Sequence, residues 1–167
     1  MTETNTGQSP VASRNVVKSI MEADTIVLGP GSLFTSILPN IVIPEICEAL
    51  WKTKARIVYV CNIMTQRGET EHFTDADHVR VIHEHIGTPI IDTVLVNSER
   101  VPEEYMNTNK FDEYLVQVEH DFHALQAQNV NVISNNFLKL RDGGAFHDGD
   151  AVAKEIVAIA NRTEFEL

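Results

Sequence analysis

The stretch TIVLGPGSLFTSILPN, residues 25–40, decides the fold. Thr25, Ile26, Val27 and Leu28 are apolar or β-branched and suit a short buried strand. Gly29-Pro30-Gly31-Ser32 breaks it, and an apolar segment dotted with hydroxyls follows, expected to make two helical turns that stop near Pro39-Asn40. Strand, Gly-rich turn and helix in succession are the unit of a parallel α/β sheet. The turn itself has two readings. On its four residues alone, a plain turn with Ser32 as N-cap is the stronger one. The other is an anion site, because glycines let backbone N–H groups approach a phosphate and the following helix adds its positive end. The pattern is neither GxGxxG nor a Walker loop.

The rest of the chain repeats this alternation. Val16, Val17, Ile20 and Met21 fall at helical spacing behind Ser13, a suitable N-cap. IPEICEALWKT predicts a helix with Ile43, Ile46, Cys47 and Leu50 on one face. RIVYVCN, 56–62, predicts a strand buried on both faces. TDADHVRVIHEHIG predicts a helix capped by Thr74 and stopped by Gly87, with Val79, Ile82 and Ile86 inward. Further strands are expected at 91–97, 115–121 and 130–134, and a closing helix carries Val152, Ile156 and Ile159. The expected architecture is a single α/β domain over 14–167 with a mostly parallel sheet, and residues 1–13 form a polar tail.

Charge narrows the function classes. Lys and Arg number 13 against 24 Asp and Glu, for a net charge of −11, which argues against a nucleic-acid or anionic-membrane surface. A phosphorylated small molecule is compatible with this charge, because backbone N–H groups can hold it. No apolar run approaches the roughly 20 residues of a membrane span. The polar N-terminus is unlike a signal peptide, so the expected location is the cytoplasm. Cys47 and Cys61 form no CxxC pair and read as small buried hydrophobes.

Ligands of parallel α/β sheets bind beyond the carboxyl ends of the strands. Small, hydroxyl and amide residues recur there: Gly29, Gly31, Ser32, Thr35 and Ser36 after the first strand, and Asn97-Ser98 after the third. The second strand leads into NIMTQRGETEHF, a long polar loop suited to orienting a sugar or nucleobase. Metal binding is not expected, since His78, His83 and His85 form no i, i+4 pair. Asp75 or Asp77 would suit Mg²⁺ bridging a phosphate ligand better than a transition metal. No nucleophile elbow occurs, and LKLRDGGAFHDGD, 138–150, reads as a structural turn with Asp148 or Asp150 capping the last helix.

Together, ADTIVLGPGSLFTSILPN, VYVCNIMTQRGETEHFTDADHV and DTVLVN resemble the bacterial gluconeogenesis factor family, often called YvcK-like, a branch of the 2-phospho-L-lactate transferase (CofD-like) group. The resemblance runs from about residue 14 to the end and implies a Rossmann-like α/β/α fold. It implies binding of UDP-sugars, notably UDP-N-acetylglucosamine, by proteins tied to cell shape, cell wall and carbon use; no activated nucleophile or acid/base pair stands out for turnover, and the one cofactor considered is Mg²⁺ with a bound nucleotide. The related transferases use a nucleotide-activated donor with Mg²⁺. The residues carried over are Gly29, Gly31, Ser32, Thr35, Ser36 and Asn40, then Asn62, Thr65, Gln66, Gly68, Glu69 and Thr70. Family members are about twice as long and open on a Gly-rich phosphate loop, so this chain resembles their C-terminal half. Phe111 and Phe146 stand where the family carries a Tyr and an Arg. A half of this kind is expected to associate, as a dimer, and a non-catalytic dimerising fragment is the remaining alternative.

Overall fold

The computed structural model describes residues 10–106 and 114–161. Most of the expected tail and Phe111 lie outside them. Four parallel strands form the sheet: β1 (Thr25–Leu28), β2 (Arg56–Val60), β4 (Thr93–Asn97) and β6 (Asn131–Asn135), side by side in chain order. Strand alternation divides the core in two. Leu28, Ile57, Tyr59, Val94 and Val96 face one way, toward a cluster with Leu50, Val79, Ile82, Ile86 and Leu125. Val58, Val60 and Leu95 face the other way, toward Phe137, Val152 and Ile159.

The first cluster belongs to α3 (Pro44–Lys52), α4 (Asp75–Ile86) and α5 (Phe122–Ala127). The second belongs to α6 (Gly149–Asn161). Each crossover between neighbouring strands steps the same way, and right-handed connections then place α3, α4 and α5 on one face. The expected three-layer α/β/α fold is what the chain adopts. Tyr59 and Val58 are fully buried between the layers, and Val58 contributes about 1.5–3 kcal/mol by leaving water.

Local chemistry sets the helix ends. Ser13 caps α1 (Arg14–Glu22) by accepting from the Val16 N–H at 3.4 Å. Thr74 and Asp77 form a capping box at α4, each side chain accepting from the other's backbone N–H. Gly87 ends α4 in the left-handed conformation, with φ 82°. Asp148 caps α6 through the N–H groups of Asp150 and Ala151. Thr74→Ala is expected to cost about 1–2 kcal/mol, read as a lower urea midpoint with unchanged m-value.

Three expectations are refined. The helical stretch after β1 makes its two turns and ends at Ile41, two residues past Pro39, but not as one regular α-helix. It opens as a π-turn, Leu33–Ile37, and continues as α2 (Leu38–Ile41), where Pro39 sits in the first turn and needs no N–H donor. Residues 115–121 do not supply a strand of the main sheet. β5 (Tyr114–Gln117) pairs antiparallel with β3 (Met64–Gln66), a strand hidden inside the polar loop. Residues 138–147 form a hairpin, β7 (Leu138–Arg141) and β8 (Gly144–His147), turning at Asp142-Gly143 with both φ positive. The β3 residue Met64 shares a small core with Ile63 and Val101, against which Leu138 and Ala145 of the hairpin pack.

Three histidines give the fold a pH response. His78, His83 and His147 all have proton affinities lowered by burial. His78 is fully buried, its Nδ1 is 2.8 Å from the Thr74 carbonyl, and its Nε2 has no partner. Each holds a proton more weakly in the folded chain than in the unfolded one. Stability is therefore full above the ordinary histidine range and falls as pH drops below about 6.5. Denaturant midpoints between pH 7.5 and 5 should fall, and His78→Gln should flatten the slope.

Candidate ligand-binding site

The two polar loops meet at the carboxyl ends of β1 and β2. Gly29 carries the chain out of β1 with φ 83°, and a Cβ there would lie 3.0 Å from the Val60 carbonyl oxygen. Only a glycine lets the turn lie this close to the end of β2. Gly31 is less constrained, since a Cβ there would meet the Ser36 Cβ at 3.4 Å, an ordinary contact. Ser32 is the junction. Its hydroxyl accepts from the Thr35 N–H at 3.2 Å and the Thr35 hydroxyl at 2.6 Å. It donates to Glu69 Oε2 at 2.6 Å, across 37 residues of chain. The plain-turn reading is met, with Ser32 as the N-cap, and the cap is also tied to the neighbouring loop.

The other expected residues divide by exposure. Thr35, Ser36 and Asn40 are exposed, and Asn40 Nδ2 donates to the Ser36 carbonyl at 2.6 Å. Gly68 sits in an open turn with φ 72°. Asn62 is half-buried at the mouth of a narrow cleft of about 10 Å³, room for one water, beside Cys61, Asn97, Gln117 and His120. Gln66 Oε1 is buried without a partner. Thr65 and Thr70 are 1% and 0% exposed. Thr65 bridges β3 to the backbone of Val116 in both directions, and Thr70 accepts from the Gln66 N–H. These two hydroxyls hold the loop in shape and do not face a ligand.

The carboxylates thought suited to Mg²⁺ are committed elsewhere. Asp77 serves the capping box and Arg80, which together hold its carboxyl below the usual range despite partial burial. Asp75 is fully buried. Its Oδ1 accepts from the N–H groups of Ala76 and Asp121, and its Oδ2 meets His120 Nδ1 at 2.8 Å. His120 Nε2 lies 3.1 Å from the Asn97 carbonyl, and the ring stacks on Phe122 at 5.0 Å. Among the described residues no three His, Cys, Asp or Glu side chains are grouped to hold a metal. The Asp75–His120 pair escaped the sequence reading, since 45 residues separate the two and neither belongs to a spacing motif.

Other expected groups find structural places. Cys61 is buried, which raises its thiol above the ordinary range, and its carbonyl meets His147 Nε2 at 3.1 Å. Asn97 spends its side chain on Glu99 and on the Phe137 N–H. Arg141 lies over the Phe146 ring at 4.7 Å. A wider cavity, about 640 Å³, lies elsewhere, between α1 and α3. Its lining mixes Val11, Val17 and Met21 with Lys18, Glu48 and Lys52. No single helix among the described residues is long and apolar enough to cross a membrane.

Comparison with known proteins fits this geometry. The family model described as 2-phospho-L-lactate transferase CofD matches residues 2–138. A Lactococcus lactis protein, provisionally named gluconeogenesis factor, is 84% identical over 165 residues, covering 99% of this chain and 50% of its own length. A Listeria innocua protein named gluconeogenesis factor is 46% identical, covering 86% of this chain and 43% of itself. A crystal structure from Bacillus halodurans superimposes with a TM-score of 0.85 at 38% identity, over 91% of this chain and 49% of that one. The chain spans about half the length of the curated relatives it matches.

Proposed function

The chain belongs to the 2-phospho-L-lactate transferase CofD family, and from that premise we propose that it forms one wall of a nucleotide-sugar site with a regulatory role. The ligand is a UDP-sugar such as UDP-N-acetylglucosamine. The relatives' names, gluconeogenesis factors, fit a role in carbon use.

The observation that carries this reading is the Ser32–Glu69 hydrogen bond. It joins the two polar loops into one rim at the carboxyl ends of adjacent parallel strands, where this class of sheet takes its ligands. Residues 31–33 lie at the start of the helical stretch, whose first N–H groups have no intrahelical acceptor and would receive the diphosphate. Asn62, half-buried at the end of β2, and the side-chain amide of Gln66 would then serve sugar or ribose hydroxyls, Gln66 by turning out the oxygen that is now buried without a partner.

Titration calorimetry with UDP-N-acetylglucosamine tests this, on a full-length relative and on this chain. Ser32→Ala, or its equivalent in the relative, should weaken binding roughly tenfold, about 1.4 kcal/mol. Absence of heat with the full-length relative would sink the reading. The family's description as a transferase favours a second reading, transfer from a nucleotide-activated donor. Magnesium-dependent loss of such a donor, abolished by Ser32→Ala, would establish it.

A further inference from the structure

We propose that the stacked rings of Phe122 and His120 form a nucleobase platform, a flat surface for a planar heterocycle such as a pyrimidine. The inference rests on the reading of the rim as a nucleotide-sugar site, and it assigns the base, which that reading leaves unplaced.

The platform begins with a constraint on His120. Its Nδ1 lies 2.8 Å from Asp75 Oδ2 and its Nε2 lies 3.1 Å from the Asn97 carbonyl, so the ring is held on two sides. Asp75 is itself fully buried and anchored by the N–H groups of Ala76 and Asp121. Phe122 lies on this fixed plane almost parallel, at 15° with the ring centroids 5.0 Å apart. Core packing does not account for the phenyl ring. Leu125, one turn further along α5, is fully buried, whereas Phe122 is 42% exposed. Helical side chains three apart share a face and lean toward the amino end of their helix. Phe122 opens α5, so its ring projects past the helix end. α5 leads directly into the amino end of β6, which puts that projecting ring at the carboxyl edge of the sheet.

Position supplies the second argument. Asn97, whose carbonyl meets His120, ends β4. β1, β2 and β4 are neighbours, so the exits of β1 and β4 are two strand spacings apart, about 10 Å. Along that edge come the first N–H groups after Ser32 at β1, then Asn62 at β2, then the stacked rings beside β4. Diphosphate, ribose and base follow one another in this order in a nucleotide. The charge of the chain agrees with such a device. At a net −11, a stacked ring adds affinity for a base without calling on a basic side chain. Two rings already locked together also have little freedom left to lose on binding, which lowers the entropic cost.

Nuclear magnetic resonance titrations of this chain with UDP and, separately, with pyrophosphate test the assignment. UDP should shift the Phe122 ring protons, and pyrophosphate should leave them in place. Phe122→Ala should weaken UDP binding about tenfold and leave pyrophosphate binding unchanged. Phe122→Leu keeps an apolar contact with His120 but removes the π face, so it should weaken UDP as well, and it serves if alanine disturbs folding. Phe122→Trp should bind UDP at least as tightly as the parent chain. Equal affinity for UDP and pyrophosphate, or a Phe122→Leu chain that binds UDP as the parent does, would overturn the platform and leave the phosphate edge standing. Binding of neither probe would overturn the platform in this chain, while the calorimetry on the full-length relative decides the rim reading separately.

Discussion

Asp75→Ala is expected to destabilise the chain by about 3–5 kcal/mol, with a melting temperature lower by roughly 10 °C. The carboxylate is fully buried and is met by three groups from two segments, its own helix start and the turn into α5. It takes the N–H of Ala76 at the start of α4, the N–H of Asp121 at the start of α5, and Nδ1 of His120. Alanine leaves those donors facing a void, and an unmet buried donor costs about 1–3 kcal/mol. Asp75→Asn keeps one acceptor oxygen and should lose about half as much. His120→Ala should lie below both, because His120 is an exposed residue and water can reach the vacated side. Thermal melts followed by far-ultraviolet circular dichroism would rank the three. A melting temperature unchanged in Asp75→Ala would mean the network holds nothing together.

Gly29→Ala should cost about 2–5 kcal/mol, more than an alanine at any open glycine. Two penalties add here. With φ 83° the residue sits in the left-handed region, which costs a side-chain-bearing residue about 1–2 kcal/mol. The new Cβ would also lie 3.0 Å from the Val60 carbonyl oxygen, a backbone atom that cannot swing aside, adding about 1–3 kcal/mol. Gly87→Ala is the internal control, since its φ is 82° and nothing lies within 4 Å of the added carbon. The difference between the two variants, read from urea midpoints, isolates the steric part. Gly29→Ala should also loosen Ser32 from Glu69, so its effect on nucleotide-sugar binding should exceed that of Ser32→Ala. Equal costs for the two glycines would remove the close-approach explanation.

What the sequence revealed was mainly what short-range patterns control. The continuous apolar run Ile57–Cys61 could only be a strand covered on both faces, and Thr74, Asp77 and Gly87 mark α4 by chemistry that acts within four residues. β5 was legible as extended, but its partner was not, because pairing with β3 is decided by a bond network between residues 51 apart. The π-turn was invisible because a single wide turn leaves no periodicity. At the site, residue type located the rim but not the division of labour. Ser32 and Thr65 are both hydroxyls on polar loops, yet one reaches Glu69 at the rim and the other is sealed against Val116. Burial makes that distinction, and burial at loops is set by distant segments.

The one tryptophan of the chain offers a spectroscopic handle on this architecture. Trp51 is 54% exposed, yet its indole N–H donates to the Ile86 carbonyl at 3.1 Å, tying the end of α3 to the end of α4. These ends lie opposite the carboxyl edge that carries the loops. Indole emission should therefore follow the separation of two crossover helices and stay silent when a ligand fills the rim. Coincident emission and dichroism curves in urea would show that both helices leave the sheet in one cooperative step.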